Sequence, residues 1–579
     1  MAFEKIILPN KKFPLDVARE MFEPCAPYFS KEEARPYQKE IIGILRHAIE
    51  NDDKKYIFLQ LPTGSGKSVI AITIAEYFKN VHNKDYYVLS MDHGLTSQYK
   101  RDYPFLKEVK GRQNFWCILS GHQHQKADEA PCASKIKQFK CPEKMDCPYF
   151  RQRDEAAESL STLSTPYYID ITTPGQVFDT RFLSIRDEAH KLENFYLGMY
   201  ELKLTERDYK YLFPMGMLPM FSDPDFWKEE IKEIQAKCDT MISQTIIEDD
   251  LTKLEKIESK LRSIASLLSM KNNVVIDVEE SKRGYKDILF RPVKASSYAN
   301  DIIGGVSEHT IFMSATILSV KDRCEQLGIP IEDVLYINFK DSFFPKENRH
   351  FIFSPQGSMS FKSREKTIPK IIEKSATIIK NHSEQRGVII CASHVIRDSL
   401  YKELSKMIDE PKNLITHGFG PGEFNEAFEK FLENRSKPYV FITTRYEGLD
   451  FYGKLAEWMI YTNLPYAPPM DKQVAARLKL EQTTYIDENG GSCGYEAKPD
   501  GMCVRGAWCH NCRRWYDLKV AEAFQQALGR VIRTPEDIGY LYVLDSRFEK
   551  FYNQNADLFL SFLRESIEEE WEKNGKKKK

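Results

Sequence analysis

Leu61-Pro-Thr-Gly-Ser-Gly-Lys-Ser68 carries the residue types that a phosphate chain requires. Gly64 and Gly66 let the backbone curl so that its N–H groups, with those of Thr63 and Ser65, face phosphate oxygens. Lys67 has the reach and charge to meet the outer phosphates, and the Ser68 hydroxyl suits Mg2+. Leu61 stands where the strict form of the pattern has Gly. Farther along, Asp187-Glu-Ala-His190 follows the apolar run Phe182–Ile185. Asp187 at a strand end can hold Mg2+ through water, and Glu188 can polarise an attacking water. Such a tetrapeptide says little alone and much more after a phosphate loop. Arg186 is unexpected where an apolar residue is usual; a charged neighbour would account for it. Gln526-Ala-Leu-Gly-Arg-Val-Ile-Arg533 places Arg530 and Arg533 on one predicted helix face. Beside Gln526, they have the chemistry to stabilise a transferred phosphoryl group; a surface salt-bridge pair is the plain alternative.

Eight of the twelve cysteines fall into two groups of four. Cys117, Cys132, Cys141 and Cys147 are separated by 14, 8 and 5 residues. Four thiolates can hold an iron–sulfur cluster, and on spacing alone zinc competes equally. Cys493, Cys503, Cys509 and Cys512 are separated by 9, 5 and 2 residues. Their closing Cys-His-Asn-Cys is a knuckle typical of tetrahedral zinc; a second cluster and unliganded thiols remain open readings. His510 is either a substitute ligand or an exposed knuckle residue. Arg505, Trp508, Arg513, Arg514 and Trp515 would also suit a nucleic-acid contact. Cys25, Cys238, Cys324 and Cys391 are scattered, as packing cysteines are.

Positioning these residues calls for a large scaffold, and 579 residues with 42% hydrophobic content supply it. The net charge of −2 neither announces nor excludes a nucleic-acid track, since a basic groove suffices. No apolar run is long enough for a membrane span, and the N-terminus has no export signal. The expected compartment is the cytoplasm, nucleoid-associated in a bacterium or host cytoplasm for a phage. The C-terminal Lys576–Lys579 run reads as a solvated tail.

Apolar runs at Tyr56–Leu61, Tyr86–Met91, Phe182–Ile185 and Ile311–Met313 form one block of predicted strands. Gly387–Cys391, Leu414–Thr416, Tyr439–Thr443, Trp458–Tyr461 and Tyr540–Leu544 form another. Helical segments lie between them, so the fold class is α/β, with two tandem motor-type domains built on parallel sheets. Ile231, Ile234, Cys238 and Met241, then Leu254, Ile257, Leu261, Ile264 and Leu268, recur at helical spacing. They predict an antiparallel helix pair turning around Glu248–Asp250, followed by a hairpin over Asn273–Phe290.

Further motifs narrow the reading. Arg35-Pro-Tyr-Gln38 is similar to an adenine-reading motif, and Ser314-Ala-Thr316 to a motif that couples hydrolysis to movement. Tyr446-Glu-Gly-Leu-Asp-Phe451 resembles the W-E-G-x-D-F motif of the XPD/DinG family, with Tyr446 in place of Trp. Asn463-Leu-Pro-Tyr-Ala-Pro-Pro469 resembles the same family, as does Lys110-Gly-Arg-Gln-Asn-Phe-Trp-Cys117, placed between the phosphate loop and the Asp187–His190 box. The chain thus resembles superfamily-two DNA helicases of the XPD/DinG type, over roughly residues 30–550 in motif order.

That resemblance implies RecA-like motor domains that sandwich ATP and Mg2+, with an iron–sulfur domain and a helical arch inserted into the first. It implies a [4Fe–4S] cluster on Cys117, Cys132, Cys141 and Cys147. It implies 5′-to-3′ movement on single-stranded DNA, with forked DNA and RNA–DNA hybrid as substrates, by a monomer. The expected division is 1–110, motor domain 1; 111–165, cluster domain; 166–194, motor domain 1 with the DEAH box; 195–295, arch; 296–340, the end of motor domain 1; and 341–579, motor domain 2, with a cysteine-rich insertion at about 484–515. Glu447, Gly448 and Asp450 would face the nucleotide from the second domain, with Gln526, Arg530 and Arg533. Gln98, Thr316, Thr444 and Tyr446 would touch the strand, and Tyr466 and Phe451 would stack on bases or pack. Ser-Ala-Thr favours the DinG side, and the stretch before Arg35 is too short for a nuclease. The competing functions are an RNA helicase, a nucleotide-dependent scaffold with little unwinding, and a CRISPR accessory helicase. Members of this last group are expected to lack the first cysteine quartet.

Overall fold

The computed structural model describes residues 14–575 except 53, 63, 92, 134–138, 174, 176, 246–247, 271–272, 281–283, 340–344, 434, 446–454, 485–502, 504–508, 510, 529–536 and 574. The predicted positions Thr63, Tyr446, Glu447, Gly448, Asp450, Phe451, Cys493, His510, Arg530 and Arg533 therefore lie outside the described residues.

Two parallel sheets dominate. The first has seven strands, in the spatial order Val334–Asn338, Tyr56–Gln60, Ser307–Ser314, Arg181–Arg186, Tyr86–Leu89, Ser161–Ser164 and Lys107–Glu108. The second has six, in the order Arg349–Gly357, Gly539–Asp545, Trp458–Tyr461, Gly387–Ile390, Val440–Thr443 and Leu414–Thr416. Their central strands are buried along their whole length because helices cover both faces, which is why they read as unbroken apolar runs. In the first sheet Gln60 lies beside Ser314 and Asn338, and Leu89 beside Arg186 and Ser164. The phosphate loop, the Ser314-Ala-Thr316 segment and the Asp187–His190 box thus leave the same carboxyl edge, where open α/β sheets bind ligands.

Strands at Lys107–Glu108, Ser161–Ser164, Val334–Asn338 and Arg349–Gly357 were not among those expected. Ser161–Ser164 (Ser-Thr-Leu-Ser) is buried although polar, because its hydroxyls find internal acceptors: Thr162 on Ala156 O at 2.6 Å and Ser164 on Val109 O at 2.9 Å. It lies inside the segment 111–165 yet belongs to the first large sheet.

The helix pair is present as Pro224–Gln244 and Glu248–Ser269. Glu248 begins the second helix instead of lying in the turn. Trp227, Ile231, Ile234, Cys238, Leu254, Ile257, Leu261, Ile264 and Leu268 are buried in one core, the seam that the spacing predicts. The hairpin pairs Val274–Glu280 with Lys286–Pro292, and Leu202–Thr205 adds a third antiparallel strand. This small sheet meets the helix Lys472–Thr484 of the second lobe. Lys472 pairs with Asp277 at 2.7 Å, and Gln473 Nε2 donates to Pro292 O at 2.6 Å. Cys25, Cys238, Cys324 and Cys391 are all buried. No helix among the described residues is long and apolar enough to cross a membrane.

Candidate active site

The strand Tyr56–Gln60 runs into the phosphate loop, and the helix Lys67–His82 leaves it. Gly64 and Gly66 have φ of 79° and 82°, conformations that other residues adopt only with strain. A Cβ on Gly66 would lie 2.6 Å from Gln38 Nε2, so a side chain there would push the Gln38 amide aside. Gln38 Oε1 accepts from the Arg35 N–H at 2.9 Å, and its Nε2 donates to Ser65 O at 3.0 Å. Tyr37 donates its hydroxyl to the same carbonyl at 2.9 Å. The expected adenine-reading motif thus braces the loop, while the Arg35 side chain stays exposed. Lys67 Nζ reaches back to Leu61 O at 3.3 Å and Pro62 O at 3.4 Å, across the loop mouth.

Buried Tyr99 links the two candidate Mg2+ ligands. Its hydroxyl lies 2.8 Å from Asp187 Oδ2, to which it donates, and 3.1 Å from Ser68 Oγ. Burial, then the negative charge of Glu188, pushes the Asp187 carboxyl up to about 6, while Lys67 opposes the shift. A divalent cation between Ser68 and Asp187 would restore the ionised form. Glu188 moves the opposite way. Burial raises it, but the hydrogen bond and charge of His190, then Lys67, outweigh burial and hold it below the usual range. A carboxylate kept ionised beside a phosphate site can orient and deprotonate water. Its left-handed φ of 53° turns the side chain out of the strand direction.

Glu188 is also the first member of a relay between the lobes. His190 Nδ1 lies 3.2 Å from Glu188 Oε2 and 2.9 Å from Ser314 Oγ. Ser314 Oγ accepts from the Thr316 N–H at 3.0 Å, and Thr316 Oγ1 accepts from Gln526 Nε2 of the second lobe. Thr316 is therefore buried in the lobe contact and presents no face to a strand in this conformation. Gln98 is exposed, and Thr444 is half-buried at the end of Val440–Thr443. Tyr466 packs on Tyr516 and Phe551, with Arg513 donating to its hydroxyl at 3.0 Å, so packing describes it here.

Three contributors had no motif to reveal them. Arg186 is fully buried and forms a fork with Asp170, at 2.7 and 3.0 Å, while Tyr196 donates to the same carboxylate at 2.8 Å. This satisfies the expectation of a charged neighbour and holds the base of the Asp187–His190 box. Arg323 is also buried; it donates to Thr316 O at 3.3 Å, to His190 O at 3.4 Å and to Glu522 of the second lobe. Glu193, 1% exposed, meets Lys519 at 2.9 Å, Arg477 at 3.4 Å and Trp515 Nε1 at 3.0 Å, all from the second lobe.

Trp515, Lys519, Glu522 and Gln526 recur at spacings of 4, 3 and 4 on the helix Arg514–Leu528. They form one stripe that faces the first lobe. Trp515 is thereby committed to Glu193. Arg513 is committed to Asp517, and Arg514 to Asp322 and Asp557. These side chains, suggested for nucleic acid, are engaged in protein contacts instead.

In the first group the charges of Cys132, Cys117 and Cys147 reach Cys141. Its thiol is pushed up by burial, with smaller contributions from Cys132, Cys117 and Cys147. Arg112 Nη1 donates to Cys132 Sγ at 3.4 Å and stacks on Tyr149 and Phe150, a cation that favours thiolates. In the second group, the Sγ atoms of Cys503, Cys509 and Cys512 all lie within 4.8 Å of one another.

The helicase C-terminal domain family model matches residues 376–566, and that of the type III restriction enzyme res subunit matches residues 31–202. Regulator of telomere elongation helicase 1 of Rattus norvegicus is 29% identical over 153 residues, 25% of this chain and 11% of that protein. The Drosophila persimilis homolog is 25% identical over 265 residues, 41% of this chain and 23% of that protein. The chain thus matches well under two thirds of these relatives' length. Among solved structures, an XPD helicase aligns with a TM-score of 0.58 at 16% identity, covering 91% of this chain and 98% of that one. The S. tokodaii protein Xpd4 aligns at 0.53 with 15% identity, covering 92% and 99%.

Proposed function

We propose, from the premise that this chain is an XPD/DinG-like superfamily-two helicase, that it couples ATP hydrolysis to 5′-to-3′ movement on single-stranded DNA and opens duplex or forked DNA. The observation that carries the reading is the convergence of Lys67, Ser68 and Asp187 around Tyr99, with Glu188 tied through His190, Ser314 and Thr316 to Gln526.

The loop N–H groups and Lys67 bind and orient the phosphates. Ser68 and Asp187 would hold Mg2+, whose charge neutralises the phosphate oxygens. Glu188 accepts the proton of the attacking water at a carboxylate oxygen. Because His190 hydrogen-bonds near Glu188, a change at the γ-phosphate reaches Thr316 and the lobe contact. Two lobe arrangements with different phosphate contacts would then alternate their grip on the strand. We assign Arg530, Arg533 and Glu447 to the opposite wall, and Gln98 and Thr444 to the strand. The domain division is the one drawn from the sequence, except that Ser161–Ser164 goes with the sheet of the first motor domain.

Cys117, Cys132, Cys141 and Cys147 would hold the [4Fe–4S] cluster, and the Arg112 contact to Cys132 supports a thiolate donor set. When bound, the cluster would brace the segment between the phosphate loop and the DEAH box. The Cys117→Ser variant should lose strand displacement more than ATP hydrolysis; equal loss of both would mean that the cluster holds the whole lobe together.

The deciding experiment measures ATP hydrolysis with single-stranded DNA or RNA, then strand displacement on duplexes with 5′ or 3′ tails. DNA stimulation and 5′-tail displacement are expected. Stimulation by RNA alone, or hydrolysis without displacement on either tail, would overturn the reading.

A further inference from the structure

Cys503, Cys509 and Cys512 take no part in the nucleotide reading, and their exposures are 0%, 1% and 1%. None forms a disulfide. A tetrahedral zinc with Zn–S bonds of about 2.3 Å sets its sulfurs about 3.8 Å apart. A mutual spacing within 4.8 Å needs only small side-chain adjustments to reach that. A disulfide would use two of the three sulfurs and leave one over, whereas a single soft cation uses all three. Such a gathering suits one ion better than a cluster of several iron atoms.

The place of this group in the fold gives it a role. The Arg513 N–H donates to Cys509 O at 3.2 Å, and the helix Arg514–Leu528 starts at the next residue. That helix carries the stripe Trp515, Lys519, Glu522 and Gln526 along the first lobe. A metal bound by three side chains just before Arg514 would fix where the helix begins.

We propose that Cys503, Cys509 and Cys512 bind a structural Zn2+ as thiolates and that this ion anchors the first turn of the interlobe helix. Each thiol releases its proton on binding. One tetrahedral position is left for a further ligand; Cys493, which the sequence groups with these three, lies outside the described residues. The proposal does not depend on the helicase reading, because the ligand set and the helix contacts stand without it.

Metal analysis of the full chain, purified anaerobically without added chelator, tests the site. One zinc per chain is expected beside the iron. Cys509→Ser and Cys512→Ser should lose the zinc and keep the iron, while Cys512→His should keep both. Exchange of the wild-type chain into Co2+ should give the visible bands of tetrahedral thiolate-bound cobalt, a readout that needs no variant to fold. Hydrogen exchange in Arg514–Leu528 should quicken on zinc removal, with Lys67–His82 unchanged. Wild-type chain without zinc even when supplied with it, zinc retained in Cys509→Ser, or iron lost in place of zinc would overturn the site. Unchanged exchange in Arg514–Leu528 would overturn the anchoring role.

Discussion

One helix of the second lobe meets the first lobe in two chemically different ways. Toward its C-terminal end, Gln526 joins, through neutral hydrogen bonds of Thr316 and Ser314, a chain that continues to His190 and the Glu188 carboxylate. Toward its N-terminal end, Trp515 and Lys519, with Arg477, close over the buried carboxylate of Glu193. The two places are only a few residues apart on the first lobe, since Glu188, His190 and Glu193 are neighbours in sequence. A neutral hydrogen bond nets about 0.5–1.5 kcal/mol because water can replace either side. A buried ion pair stripped of one partner costs about 3–5 kcal/mol because a charge is left in a poor solvent. The relay is therefore suited to breaking and re-forming during a cycle, and the ion cluster to holding. Arg323 with Glu522 sits between them and shares the character of the second.

The largest test removes what the relay would respond to. Lys67→Ala should lower kcat for ATP hydrolysis by at least about 100-fold, the scale on which preorganised charge acts on a transition state. Its melting temperature should stay close to that of the wild type, since the contacts of the side chain with the loop carbonyls, at 3.3 and 3.4 Å, are long and weak. Unchanged turnover would remove the phosphate-loop assignment. Next comes the ion cluster. Glu193→Gln should weaken the lobe contact by about 3 kcal/mol, the low end for a broken buried pair, since Lys519 loses the carboxylate 2.9 Å away while Arg477 keeps Glu481 at 2.7 Å. A fluorescence pair on the two lobes should report a wider separation with or without nucleotide. If the separation matches the wild type, the cluster is not a brace.

Much of the first lobe's site could be read in advance because each part is a short, contiguous device. A strand, two glycines, a lysine and a serine state their geometry locally, and a pair of acids after an apolar run states where a sheet edge lies. Gln526 was legible for the same reason. Tyr99, Arg186, Arg323 and Glu193 were not, although each is buried and charged or polar. Their partners lie 31 or more residues away for Tyr99 and in the other lobe for Glu193, so no local spacing marks them. A weak signal did exist for Arg186, whose charge in an apolar strand demanded a partner; Asp170, on a short helix, supplies it. The stripe at Trp515, Lys519, Glu522 and Gln526 has helical spacing too. Polar stripes ordinarily face water, and only the packing of the lobes shows that this one does not. The polar strand Ser161–Ser164 escaped notice because the apolar signal assumes that interiors exclude hydroxyls, while here each hydroxyl mentioned finds an acceptor.

Smaller effects sharpen the contrast. Thr316→Val removes the acceptor of Gln526 while keeping the shape. It should cost about 1–3 kcal/mol if Gln526 Nε2 is left unsatisfied and less where water reaches it. Strand displacement per ATP should fall while hydrolysis persists. Equal loss of both would place Thr316 in the chemical step.

The smallest effect is one of pH, and it separates the two contacts because Glu193 meets the second lobe through charge while the Gln526–Thr316 link is uncharged. Burial raises the Glu193 carboxyl, but Lys519 and then Arg477, with hydrogen bonds from Lys519 and Trp515, hold it below the usual range. Glu522 follows the same pattern, with burial outweighed chiefly by Arg323. A carboxylate whose folded-state value is depressed contributes stability above its ordinary value of about 4.3 and loses it as pH falls through the depressed one. The lobe contact should therefore be constant near neutrality and weaken progressively below about pH 4.3. Glu193→Gln should start weaker and show a shallower acid slope, since one of the two depressed groups is gone. Thr316→Val should keep the wild-type slope. Interlobe fluorescence recorded for the three proteins across this range checks all three outcomes. A slope unaltered by Glu193→Gln would mean that the acid response arises elsewhere and that the brace does not rest on charge.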